Sequence, residues 1–174
     1  MLLKSTVIFS LLASALALPM GSPVEKRALR VQTYSQFSVS GGVAGNALAE
    51  VNAKFPVNLS NPASVSTQDV AILKAARVTA EAAETKTGGF NEAINTAGGE
   101  KTAAGAALQR GKIKNKVLKL QLQVMTLTIE GARGRDTAAK LAEQQKKLAK
   151  NVELDQKAAG LPSTAVNFQG TSQP

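Results

Sequence analysis

The 174-residue chain contains neither cysteine nor histidine. It therefore has no disulfide, no thiolate nucleophile, no imidazole base and no Cys/His zinc site. Tryptophan is also absent and aromatic residues make up only 3% of the chain, so we expect a core of Ala, Val, Leu and Ile with helices in close contact. These absences argue against an ordinary hydrolase. We expect a protein that is not an enzyme and that carries no cofactor and no metal.

The residues that are present have the balance of an ordinary globular protein. Hydrophobic residues make up 44% of the chain and charged residues 19%, and the length fits one domain. The formal net charge is +9. An anionic polymer or surface is therefore a partner class worth testing.

The amino-terminal segment 1–17 has the three parts of a signal peptide. Lys4 provides the basic part, the stretch TVIFSLLASALA provides the apolar part, and Ala15-Leu16-Ala17 provides small residues at a cleavage site. We expect signal peptidase to cut after Ala17. The apolar stretch is too short to span a bilayer of about 30 Å, so we expect no transmembrane anchor in the mature chain.

Residues 18–27, LPMGSPVEKR, are predicted to be a propeptide. Two prolines and a glycine prevent a continued helix, and the pair Lys26-Arg27 is typical of sites that kexin-type proteases cut in exposed, extended segments. A cut after Arg27 would start the mature chain at Ala28. Its net charge would be +7, because residues 1–27 hold three basic residues and one acidic residue.

The hydrophobic pattern predicts an all-α fold, a helical bundle of about four amphipathic helices with a short extended amino-terminal arm. We expect a single domain over 28–160 and a flexible carboxy-terminal tail over 161–174. Ser66 is predicted to cap the second helix, which would continue through a local break at Gly88-Gly89. The arm is predicted over 28–39, and the four helices over about 40–55, 66–97, 102–130 and 137–159.

The third helix carries two apolar stripes at helical spacing, which predicts that it lies centrally with neighbours on two sides. The first stripe is Ile113, Val117, Leu120, Val124 and Leu127, and the second is Leu118, Leu122, Met125 and Ile129.

A basic run in the same helix, QRGKIKNKVLK, is the most distinctive functional feature. Lys112, Lys116 and Lys119 share one face, with Arg110 close by, and could contact phosphates, acidic polysaccharide or anionic lipid. No aromatic residue interleaves with them, so base stacking is not indicated. The other interpretation, which we favour at this point, is a solvated lysine face that keeps the protein soluble.

Other motifs add little chemistry. Asn58-Leu59-Ser60 is a sequon in a predicted loop, so Asn58 is a candidate N-glycan acceptor. We expect every carboxylate of the mature chain to lie on a solvent face or at a helix end, with no acid pair in a cleft. The glycine-containing stretches lack the spacing of a phosphate-binding loop.

Three stretches beside the processing signals, ALRVQTYSQFSVSGGVAGNALAEVNAKFP, AGGEKTAAGAALQRGKIKNKVLKLQLQV and DTAAKLAEQQKKLAKNV, carry a resemblance to a known group. With them, the chain resembles a cysteine-free family of small secreted proteins of filamentous ascomycete fungi. The resemblance covers nearly the whole precursor. It implies an effector-type extracellular protein and no catalytic residues.

Two functional hypotheses follow. The first is a secreted, non-enzymatic helical interaction protein that acts outside the cell on an unknown protein or cell-surface partner. The alternative is a binder of anionic polysaccharide, nucleic acid or lipid surface through the basic helix face.

Overall fold

The computed structural model describes residues 28–174. Helix dominates this part of the chain, and the prediction of an all-α bundle is confirmed. The helices are α1 Tyr34–Phe37, α2 Ala47–Lys54, α3 Thr67–Thr85, α4 Phe90–Thr96, α5 Ala103–Ala132 and α6 Ala138–Lys157. A 3₁₀ turn covers Pro62–Ser64.

The long helix α5 lies at the centre of the bundle, as its two apolar stripes predict. Its second stripe packs with residues of α1 and α3 in the larger core cluster. Val117 and Leu120 of the first stripe pack instead against Leu148 of α6 and Ala47 of α2. The helices α3 and α6 therefore flank α5 on different sides.

The start of α2 differs from the prediction. The helix begins at Ala47 rather than near residue 40, because Gly42 and Gly45 have φ of +80° and +116° and interrupt the helical backbone. Gly42–Val43 instead forms a short strand, β1. Val43 in this strand is 53% exposed.

The second predicted helix is two helices. Ser66 caps α3 by accepting a hydrogen bond from the Asp69 N–H at 2.9 Å, as predicted. The helix α3 ends at Thr85, and α4 begins at Phe90 after the predicted local break. Gly88 has φ of +76° there, and a Cβ on Gly89 would lie 2.4 Å from the carbonyl oxygen of Ala83.

The amino-terminal arm is only partly extended. Residues 28–33 are without regular structure except for a bridge from Thr33 to Thr171, and the next four residues form the single turn α1. Burial explains this turn, because it places Tyr34 and Phe37 in the core. The Tyr34 hydroxyl donates to Asn115 Oδ1 of α5 at 2.8 Å.

The carboxy-terminal residues 161–174 pack against the domain, which differs from the prediction of a flexible tail. The strand β2, Pro162–Ser163, pairs antiparallel with β1. The Ser172 N–H donates to the Gln32 carbonyl at 2.8 Å, and Phe168 packs edge-on against Tyr34 with ring centroids 5.8 Å apart. The composition of residues 161–174 predicts a flexible tail, because the residues that make these contacts are single residues among polar neighbours.

No helix in residues 28–174 has the length and apolar character needed to cross a membrane.

Candidate anion-binding groove

The predicted basic face of α5 is divided among different partners. Arg110 turns toward the carboxy-terminal segment, where its Nε donates to the Pro162 carbonyl. Lys112 is half-buried and forms no salt bridge within residues 28–174. Lys116 and Lys119 both contact Glu84 of α3, with Nζ–Oε distances of 3.2 and 2.9 Å. The four residues therefore do not form one uniform cationic surface.

Glu84 is a buried anion beneath this face. Burial acts to raise the pKa of its carboxyl, but the hydrogen bond and charge of Lys119, with those of Lys116, outweigh burial and leave the pKa below its ordinary value. Glu84 is therefore ionised near neutral pH and neutralises part of the charge of two lysines. The sequence predicted Glu84 on the solvent face of a helix that continues to residue 97, but it is buried in the last turn of α3, and its tertiary partners were not predicted.

Lys114, in the same basic run, faces the interior. Its side chain is fully buried, and Nζ donates to the carbonyls of Gly41 at 3.0 Å and Val43 at 2.9 Å and to Glu50 at 3.1 Å. This lysine fixes the β1 segment to α5 and cannot meet an external ligand.

A groove runs between α3 and α6, with α5 as its floor, and encloses about 370 Å³. We call it the α3–α6 groove. Of the described residues that line it, four have cationic side chains and one has a carboxylate. Its lining residues are Arg77, Glu81, Lys119, Leu120, Gln123, Lys140, Gln144 and Lys147.

The cations of the groove keep donors for a ligand. Arg77 pairs with Glu81 at 2.7 Å on α3, and Lys147 pairs with Glu143 on α6. In each pair the two residues are four positions apart in the chain. Such exposed pairs contribute only about 0–1 kcal/mol, so an anionic ligand can compete with them. Lys140 forms no salt bridge within residues 28–174 and is exposed.

Sequence reasoning identified only one of these cations, Lys119. Arg77 and the two α6 lysines were missed because they lie on other elements, and their approach to Lys119 depends on how the helices pack. A local signal did exist, since Lys140, Gln144 and Lys147 follow the i, i+4, i+7 spacing of one helix face.

The lining side chains of the groove can form hydrogen bonds and ion pairs with an anion. In the part of the chain that the structure describes, Glu81 has no second carboxylate beside it in the lining. Within residues 28–174, no group of three or more Asp or Glu side chains is arranged to hold a metal ion.

Asn58 is exposed in the loop that follows α2. Its Oδ1 accepts hydrogen bonds from the N–H groups of Ser60 at 3.0 Å and Asn61 at 3.3 Å. An exposed loop can accommodate a glycan, and glycosylation at Asn58 stays a prediction. The predicted processing residues Ala17, Lys26 and Arg27 lie outside the described residues.

Comparison with known proteins gives a family and no activity. No curated protein matches the chain, and no solved structure matches it. One family model matches residues 29–167, which is most of the chain and nearly all of the domain described above. The chain belongs to the family described as Domain of unknown function (DUF8454).

Proposed function

We propose that the protein is a secreted, non-enzymatic interaction protein that binds acidic polysaccharide through the α3–α6 groove. The observation that carries this proposal is the gathering of Arg77, Lys119, Lys140 and Lys147 from three helices along one groove, whose lining among the described residues includes a single carboxylate. Cations that line a concave surface focus their potential and attract a polyanion. This proposal is a more specific form of the basic-face alternative. It places the binding surface in the groove rather than on α5 alone.

The spacing of the cations favours a linear polymer over a single small anion. Lys140 and Lys147 lie seven residues apart, which is about 10 Å along α6 at 1.5 Å per residue. Arg77 on α3 and Lys119 on α5 line the same groove. A chain with repeated anionic groups can contact several of these positions at once, whereas one phosphate or sulfate cannot.

The groove lining also favours polysaccharide over nucleic acid and lipid. Among the described residues no aromatic side chain lines the groove, so unpaired bases would have no stacking surface. Of the lining residues within 28–174, Leu120 alone is apolar, and it is 7% exposed. A membrane-binding surface usually presents exposed apolar residues for insertion beside its cations.

Secretion is part of the proposal and is supported by the sequence signals at Ala17 and at Lys26-Arg27. The contacts described above all lie within residues 28–174, so a cut after Arg27 would retain them. The mature chain would keep a net charge of +7, which suits association with an acidic wall or matrix polymer.

Retention on immobilised polysaccharides tests this function. The mature chain 28–174 should be retained at 0.15 M salt by sulfated and by polyuronate matrices, and should pass through an uncharged polysaccharide. Duplex DNA and vesicles with anionic lipid serve as competing ligands. Elution from both acidic matrices below 0.15 M salt, or stronger binding to DNA or vesicles, would contradict the proposal.

A further inference from the structure

We propose that cleavage after Arg27 creates an ion pair between the α-ammonium group of Ala28 and the carboxylate of Asp69, so that processing stabilises the fold. This inference rests on the processing site of the proposed function, but not on polysaccharide binding. Hydrolysis of the Arg27–Ala28 peptide bond adds one water molecule, and it leaves a carboxylate on Arg27 and an ammonium group on Ala28 at neutral pH.

The position of the new amino terminus is set by Leu29. The Leu29 N–H donates to Asp69 Oδ1 at 2.7 Å, and the Leu29 side chain packs against the larger core cluster. Bond lengths limit the separation of the nitrogens of Ala28 and Leu29 to about 3.7 Å. The nitrogen of Ala28 therefore lies within about 6.4 Å of Asp69 Oδ1, from where a small rotation about the Ala28 backbone can bring the ammonium group to the carboxylate.

Asp69 is a suitable anionic partner for the ammonium group, because no cationic side chain of residues 28–174 already pairs with it. It is half-buried in the first turn of α3 and forms no salt bridge within residues 28–174. In the precursor, the nitrogen of Ala28 belongs to a neutral amide. Cleavage converts it into a full positive charge beside a full negative charge.

The positive end of the α3 helix dipole opposes this ion pair, because it repels an ammonium group. A helix amino terminus is equivalent to about half a positive charge and disfavours an ammonium group. Asp69 carries a full charge of the opposite sign in the first turn, which exceeds this half charge. The net effect of the pair is attractive.

A thermal-unfolding cycle tests the inference with four proteins. The mature chain beginning at Ala28 is compared with a form that carries Gly-Ser before Ala28, which returns the nitrogen of Ala28 to an amide and moves the ammonium two residues away. Both forms are made with Asp69 and with Asp69→Asn. The Asn oxygen can still accept from Leu29, but it carries no charge.

With Asp69 present, the extension should lower Tm by about 2–4 °C, the change expected for a modest ion pair in a domain of this size. With Asp69→Asn, the extension should change Tm by less than about 1 °C. Equal Tm values for the two Asp69 forms, or the same decrease in both backgrounds, would overturn the inference.

Acetylation of the Ala28 amine provides a second measurement that needs no substitution. It removes the charge without lengthening the chain, and it should lower Tm as the extension does. An unchanged Tm would overturn the ion pair. Amino-terminal sequencing of protein from culture fluid tests cleavage separately, so a failed stability result and a failed processing result are distinguishable.

Discussion

Asp155, in the last turn of α6, accepts a hydrogen bond from the backbone N–H of Ala47 at the start of α2, with an N–O distance of 2.9 Å. Its other carboxylate oxygen accepts from the Gly45 N–H at 3.0 Å. The side chain of Asn46 makes no cap hydrogen bond. A residue 108 positions later therefore caps α2, which connects the amino-terminal segment to the last helix.

Replacing Asp155 should destabilise the protein. Asp155→Ala leaves the N–H groups of Gly45 and Ala47 without their acceptor, and we expect the free energy of unfolding to fall by about 2–4 kcal/mol. Asp155→Asn keeps one acceptor oxygen and should cost less. Urea unfolding followed by circular dichroism measures both variants. An Ala variant as stable as the parent protein would contradict the capping role.

Replacing the buried Lys114 should destabilise the protein to a similar extent. Lys114→Met removes the donor to two carbonyls and leaves Glu50 without its cation, so we expect a loss of about 2–4 kcal/mol in urea unfolding. Glu50→Gln is the matched control and should cost less, because the Glu50 side chain is 37% exposed and water can replace its partner. If Lys114→Met leaves the free energy of unfolding unchanged, the buried hydrogen bonds of Lys114 contribute nothing to stability.

Glu84 should make stability depend on pH. Its pKa is lowered in the folded protein, so its contribution is present above the unfolded value of 4.5 and is lost as pH falls through the lower, folded value. Glu84→Gln should therefore be less stable than the parent protein at pH 7, and the difference should shrink from pH 4.5 toward pH 3. Urea unfolding across this range measures it. A difference that is independent of pH would contradict the lowered pKa.

Gly111 allows the carboxy-terminal segment to approach α5. A Cβ at this position would lie 2.0 Å from the carbonyl oxygen of Thr164 and 3.0 Å from Phe90 Cε1. Despite the better helix propensity of alanine, Gly111→Ala should lower the free energy of unfolding by about 1–3 kcal/mol. The Thr164 N–H, which donates to Ala107, should also exchange faster with solvent. Slower exchange with higher stability would contradict this packing.

The sequence predicts the fold to the extent that local pattern controls it. Helical spacing identified both packing faces of α5, and the Ser66 cap marked the start of α3 because each depends on near neighbours in the chain. The predicted start of α2 was wrong because helical spacing shows neither the interruption of the helix at Gly42 and Gly45 nor the cap from distant Asp155. The buried environments of Lys114 and Glu84 were not predicted for the same reason, since their partners lie on other elements.

The candidate site was predictable only in part. A lysine spacing on α5 indicates a cationic face, but the sequence does not show that Glu84 neutralises part of it. It also does not show that α6 brings Lys140 and Lys147 opposite Arg77. Tertiary packing therefore decides which of the cations can act together.

A comparison of Lys140→Glu with Lys146→Glu tests the central claim most directly. Both lysines are exposed on α6 and neither forms a salt bridge within residues 28–174. Only Lys140 lines the α3–α6 groove, so the two variants change net charge equally at different positions. The dissociation constant for an acidic oligosaccharide is measured by calorimetry at 0.15 M salt. We predict at least about a tenfold weakening for Lys140→Glu, which corresponds to 1.4 kcal/mol, and less than about twofold for Lys146→Glu. Equal weakening by the two variants would contradict a specific groove.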